Sequence, residues 1–323
     1  MTNAVYRQLI AFSKEEIADL DKDEVDEAIQ QGLASSHHRS IFFAAQLARR
    51  TDAERYTETL LGAYQRLFKK PTKSDPGCEA KTEIIEALSS ANHDDEAFFL
   101  EAVKYRQLEP VRGGEVDTAA KLRVVAAFRL TELNGLRAIG PLVELLLDPE
   151  KTARAGAARA LATCGEDHGK PLLRLKLAYG DKEAEVIGEV SVAYLAVARD
   201  EGISHVASYL KSEHIDKRLE VALALGESRL PGALEPLRRH MLRIDDREEA
   251  RITLTAIALH QSEASVQYLL EQLNPASQCV FKREVIHALS HVRDQNNMKT
   301  QLTEILDKID DRGLQEAFDE SFE

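Results

Sequence analysis

Tryptophan is absent from this sequence, and aromatic residues reach only 6%. The apolar content is carried instead by alanine and leucine, which suits close packing of helices. Glycine and proline are scarce, with 16 and 9 residues, and they fall between periodic segments. There are 3 cysteines, Cys78, Cys164 and Cys279, scattered and without a CxxC pair. That argues against a disulfide framework or a zinc ribbon and favours a reducing compartment. Positive charge is in deficit, the formal net charge being −13, which disfavours non-specific binding to DNA, RNA or anionic lipid. No apolar run approaches the ~20 residues of a membrane helix. The start, MTNAVYRQLIAFSKEE, has no continuous apolar stretch followed by a cleavage site. These features lead to the expectation of a soluble, cytoplasmic protein. Neither GxSxG nor HExxH occurs.

What the chain does have is a period. Arg123, Arg154, Glu185, Arg218, Arg251 and Arg283 are separated by 31, 31, 33, 33 and 32 residues. Each precedes a small or apolar stretch ending near Leu130, Leu161, Val192, Leu225, Leu259 and Leu289. Lys81 fits as an earlier unit set apart by an insertion. Within a unit the spacing is helical. Ala153, Ala157, Ala160, Leu161 and Cys164 share one face, with Asp148-Pro149 as cap and first turn and Gly165 as terminator. Leu172, Leu175 and Tyr179 are expected to face inward from the partner helix. Leu234, Leu237 and Met241, then Val266, Leu269 and Leu273, repeat that role. Such helix pairs cannot bury their faces alone, and stacking them builds one core.

The run Asp148-Pro-Glu-Lys-Thr-Ala-Arg154-x3-Ala158-x-Ala160-Leu161 resembles the bacterial HEAT repeats first associated with phycobilisome lyases. Asp117/Arg123, Asp148/Arg154 and Asp245/Arg251 share its Asp-x5-Arg spacing. The resemblance covers about two-thirds of the chain. It implies an all-α, right-handed α-solenoid of stacked antiparallel helix pairs. It also implies that Asp117, Arg123, Asp148, Arg154, Arg218, Asp245, Arg251 and Arg283 bond between neighbouring repeats.

The array is placed at 78–310, about seven helix pairs, after an N-terminal helical cap or irregular repeats with a linker at 1–77 and before a capping helix at 311–323 carrying Leu314, Phe318 and Phe322. In the cap, Ser13–Glu16 and Thr51–Glu54 have the form of capping boxes. Residues 69–77, KKPTKSDPG, read as a linker. Residues 105–116, YRQLEPVRGGEV, interrupt the array, and Pro110 with Gly113-Gly114 prevents a regular helix there. Solenoid insertions often lie on the binding face, which makes Gln107, Arg112 and Glu109 candidate partner contacts.

Helical wheels place a second row outward on the second helices: Glu144, Lys170, Arg174, His205, Arg239, Arg243, Tyr268 and Glu271. Its centre is basic and suits an acidic peptide, a phosphate or a nucleic-acid backbone. Other patterns are poor. His287 and His291 with His260 lack a completing carboxylate or cysteine, so no metal is expected. Asp19–Gln30 fails as a calcium loop at Glu24 and Gln30. Gly165–Pro171 fails as a phosphate loop, with proline in place of Ser/Thr. No cofactor and no catalytic constellation are expected. The leading expectation is a non-enzymatic scaffold for a protein or peptide. The resemblance to phycobilin lyase subunits, which act with partners on a bilin and its carrier protein, gives one alternative. A nucleic-acid-binding HEAT-like protein is another, weakened by the missing tryptophan and the acidic charge.

Overall fold

A computed structural model describes residues 2–277, 279–292, 298–309 and 311–322. It is all-α apart from one hairpin, and it divides into two compact units, residues 1–160 and 161–323. The N-terminal unit runs α1 (Thr2–Lys14), α2 (Lys22–Ala34), α3 (His38–Arg50), α4 (Thr57–Leu67), α5 (Pro71–Ser74), α6 (Glu79–Ser90), α7 (Glu96–Ala102), β1 (Leu108–Val111), β2 (Gly114–Asp117) and α8 (Ala120–Leu146). The division falls inside α9 (Lys151–Thr163). The C-terminal unit continues with α10 (Glu166–Tyr179), α11 (Ala184–Ala198), α12 (Asp200–Ala207), α13 (Ile215–Ser228), α14 (Leu234–Met241), α15 (Arg247–Leu259) and α16 (Glu263–Leu273). It closes with α17 (Lys282–Leu289), α18 (Met298–Leu306) and α19 (Arg312–Phe322).

In each unit the helices pair and stack. Helix α6 packs between α3 and α8, burying Ile41, Leu47, Ile84, Ile85, Leu88, Leu122 and Leu130. In the C-terminal unit α11, α13, α15, α17 and α19 follow one another, each touching the next, over Val186, Val221, Leu225, Leu254, Ile257, Val285 and Leu289. Stacking is close at Gly226, where a Cβ atom would lie 2.1 Å from the Ala256 carbonyl oxygen. Helix α8 is two helices joined at Asn134, whose extended backbone (φ −159°, ψ 90°) makes the turn of a helix pair. No helix among the described residues is long and apolar enough to cross a membrane.

Several local expectations are corrected. Ser13 lies inside α1 and donates to the Ile10 carbonyl, while Thr51 closes α3 and donates to Leu47, so neither opens a helix. Pro149 precedes α9 rather than starting it. In α10 the buried residues are Gly169, Leu173, Lys176 and Leu177, and Leu175 and Tyr179 are exposed. Gly169 sets that register, because a Cβ there would lie 2.1 Å from the Leu161 carbonyl oxygen. The stretch 69–77 holds α5 and the fully buried Asp75, so it is built into the N-terminal unit.

The insertion forms an antiparallel hairpin. Leu108 pairs with Asp117, Glu109 with Val116, Pro110 with Glu115 and Val111 with Gly114. Arg112 and Gly113 make the turn, and Gly113 takes φ +100°, a region open to glycine without strain.

Candidate functional site

The base of the hairpin is fixed by buried charge. An aspartate just before a helix accepts backbone N–H groups of the first turn, and a basic side chain six residues on folds back to it. Asp75 accepts from Ala80 N and Lys81 N, and the Lys81 ammonium lies 3.0 Å away, both side chains 0% exposed. Asp117 accepts from Ala119 N and from Arg123 Nη1 at 2.8 Å. Arg123 Nη2 reaches Asp148 of the following helix pair at 3.1 Å, and Arg106 bridges Asp117 and Asp148. Arg154 Nη1 donates to the Asp148 and Pro149 carbonyls. Burial works against charge on Asp117, yet the N–H groups of Gln107 and Ala119 and the Arg123 guanidinium hold its carboxyl below the ordinary range.

Gln107 belongs to this base and is not a surface contact. It is buried, donates Nε2 to the Asp75 carbonyl and to Glu109, and accepts from the Tyr105 hydroxyl. Glu109 also turns inward, accepting from Gly77 N and the Thr118 hydroxyl at 2.7 and 2.8 Å. The rest of the hairpin projects. Leu108, Val111 and Val116 are 54%, 52% and 37% exposed, and Arg112 is exposed at the tip.

Beside this base lies a cavity of about 520 Å³ that the sequence did not disclose. Leu61, Tyr64 and Phe68 from the α4 end, His93 and Phe98 before and within α7, and Tyr105 form its walls. Tyr64 meets Phe68 edge-on at 4.9 Å and Phe98 at 5.1 Å, and Phe68 meets Tyr105 at 4.9 Å. Gln65, Asp95, Glu101 and Ala102 complete the lining. The i, i+4 step from Tyr64 to Phe68 and the Phe98/Glu101/Tyr105 spacing are the only sequence traces of it. Each alone looks like core packing.

The basic row assembles in part. Arg239 and Arg243 line one cleft of about 310 Å³ in the C-terminal unit, with Lys211 and His240. Arg239 is also paired with Glu235 on its own helix. Lys170 is bonded to Glu201, His205 Nδ1 lies 3.3 Å from the Tyr194 hydroxyl, and Arg174 is half-buried on α10. Tyr268 is buried, its ring under the Arg238 guanidinium at 4.7 Å, so it leaves the surface row.

The ladder also changes in this unit. Arg218 donates from Nε and Nη2 to both oxygens of Glu249, with Nη1 on the Ser212 carbonyl. The acid is thus Glu249, inside α15, and not Asp245. Asp246 caps α15, so position 251 turns outward, and Arg251 pairs with Glu248 of its own helix while Asp245 is exposed. Arg283 Nε is buried without a hydrogen-bond partner among the described residues. The histidines do not converge. His260 spans Ser262 and the Leu230 carbonyl, His287 lies 2.6 Å from the Ser321 hydroxyl, and His291 is exposed. Asp21 caps α2 through Asp23 N and Glu24 N, and Gly165–Pro171 is the start of α10.

No protein-family model matches the chain, and no curated protein matches it. Solved structures give a weak likeness. The complex of CpcE and CpcF of phycocyanin lyase from Nostoc is 17% identical, covering 88% of this chain and 94% of that one, with a TM-score of 0.37. Human deoxyhypusine hydroxylase in complex with glycerol is 16% identical over 80% and 98%, at 0.32. An engineered protein is 18% identical over 98% and 93%, at 0.35. All three scores fall below 0.5, too low to carry a function from those proteins to this chain.

Proposed function

We propose that this chain is a helical-repeat scaffold that binds a protein partner, and that the β1–β2 hairpin is its docking element. The observation that carries this is the exposure of Leu108, Val111 and Val116 on one short hairpin. The pairing puts Val111 and Val116 on one face of the ribbon and Leu108 on the other, and apolar side chains held out in water on a clamped support mark a contact surface. Both outer edges of this two-stranded sheet are unpaired among the described residues, and such edges accept an added strand. Arg112 at the tip adds a cation for an acidic residue of the partner. The cleft around Lys211, Arg239 and Arg243 offers a second contact for an acidic segment.

Affinity capture from the native host, comparing the parent chain with a Leu108→Asp/Val111→Asp double variant, tests this. The parent is expected to enrich a defined protein and the double variant to lose it, with an unchanged thermal midpoint. An identical captured set from both proteins would remove the hairpin from the interface.

A further inference from the structure

We propose that the aromatic cavity of the N-terminal unit binds the ammonium-bearing side chain of a lysine supplied by the partner. This rests on the scaffold reading above and adds a chemistry to it. The walls are aromatic, with Tyr64, Phe68, Phe98 and Tyr105 lining the space. Successive pairs meet at interplanar angles of 65°, 61° and 69°, so the ring planes around it are set at several orientations. A ring face is the negative side of the aromatic quadrupole, and a space walled by four rings at several orientations offers a face to an entering cation. The chain already uses two of these rings in this way. The Lys81 ammonium, which does not line the cavity, lies 5.5 Å from the Phe68 centroid and 5.8 Å from that of Tyr105. Its charge is answered by Asp75 at 3.0 Å.

Carboxylates outnumber basic groups at the cavity, whose one imidazole among the described residues is His93. Among the described residues its lining carboxylates are Asp95 and Glu101, and no lysine or arginine lines it. Asp95 is partly committed, capping α7 through Phe98 N. The Glu101 carboxylate has no hydrogen bond or ion pair among the described residues and is exposed at the rim. An alkylammonium side chain satisfies both halves at once, its methylenes and head against the rings and its charge toward Glu101. A neutral aliphatic chain would use the rings and leave Glu101 idle, and an anion would be repelled. The net charge of −13 draws a basic segment toward the molecule before contact.

The test uses the full chain and three otherwise identical, uncharged heptapeptides carrying at their centre lysine, trimethyl-lysine or norleucine. Calorimetric titration reads affinity, and tyrosine emission reports directly, since there is no tryptophan to mask the 8 tyrosines. Both cationic peptides are expected to bind about tenfold or more tighter than the norleucine peptide. Glu101→Gln, at an exposed position, is expected to weaken the lysine peptide about fivefold and leave norleucine binding and the thermal midpoint unchanged. Equal affinity for all three peptides, an inert Glu101→Gln, or no binding of the lysine peptide at millimolar concentration to folded protein would each overturn the proposal. None of these results touches hairpin-dependent capture, so the scaffold reading fails or stands by its own experiment.

Discussion

The two units solve the same stacking problem with different electrostatics. In residues 1–160 the ladder is buried: Asp75 with Lys81, then Asp117, Arg123 and Asp148. In residues 161–323 two pairs between helix pairs have one foot in water, Arg218 being 21% exposed against Glu249, and Arg247 mostly exposed against Glu284. The buried Lys176–Asp181 pair lies within one repeat. The difference follows the insertion. The C-terminal unit is an even succession of helices whose apolar faces fix the register. The N-terminal unit must leave the succession at Tyr105, build a hairpin and return at Ala120, and directional bonds hold that detour where packing cannot. The cavities differ likewise, one aromatic with acids at its rim and one lined by Lys211, Arg239 and Arg243.

The largest effect should come from splitting a buried pair in the N-terminal unit. Lys81→Met leaves the Asp75 carboxyl group without its cation in a site closed to water, at a cost of about 3–5 kcal/mol. Arg218→Met frees a carboxylate whose partner was partly solvated, so the cost falls to about 1–2 kcal/mol after screening. Urea denaturation followed by hydrogen exchange in each unit measures both. Lys81→Met should release protection around β1 and β2 ahead of the C-terminal unit. Equal losses for the two variants would mean that burial of the ladder has no special part in holding the hairpin.

Packing gives a second pair of tests, one in each unit. Gly226→Ala drives a methyl group into the Ala256 backbone carbonyl. A backbone group cannot turn aside, so α13 and α15 must separate, costing about 2–3 kcal/mol. A Cβ atom added at Gly140, in the second half of α8, would meet nothing within 4 Å, and alanine there should stabilise by about 0.5–1 kcal/mol. Thermal denaturation of the two variants decides it. A neutral Gly226→Ala would show that the repeats of the C-terminal unit can slide.

These contrasts mark what the sequence makes legible. The period is visible because each repeat places a basic or acidic residue and a small apolar stretch at the same helical turn, and those turns do open α8, α9, α11, α13, α15 and α17. Register within a helix is less visible. Lys-Pro-Leu-Leu-Arg-Leu-Lys-Leu offers two apolar faces one residue apart, and the choice falls to Gly169 against the Leu161 carbonyl, a contact between helices. The Asp-x5-Arg spacing at 245 and 251 is present but idle because the cap shifts to Asp246. The same spacing at Asp75 and Lys81, hidden in a stretch rich in linker residues, is the most deeply buried of all. The aromatic cavity has no single linear signature, since its walls come from α4, α7 and the connections that flank them.

The smallest effect concerns two glutamates that burial shifts in the same direction, one of them opposed by a cation. Burial, then the charges of Glu185, Glu189, Glu227 and Asp216, raises the Glu220 carboxyl above its ordinary range in the C-terminal unit. Burial also raises Glu83 in the N-terminal unit, but there Arg49 opposes it, donating Nε at 2.9 Å. A carboxyl whose folded pKa lies above its unfolded value loses stability as pH rises between the two, and above the folded value the whole cost is present. At neutral pH, Glu220→Gln removes that cost and should stabilise by about 0.5 kcal/mol, reduced from any fully buried figure because the side chain is half-exposed. The gain should shrink in high salt and vanish in acid, where Glu220 is protonated in both states. Glu83→Gln should give a smaller gain, because part of the burial cost is offset by the charge-assisted bond to Arg49 that the substitution replaces with a neutral one. Thermal midpoints of the two variants at pH 7 and pH 4 separate the cases. Equal gains for both would mean that Arg49 contributes nothing to holding α3 against α6.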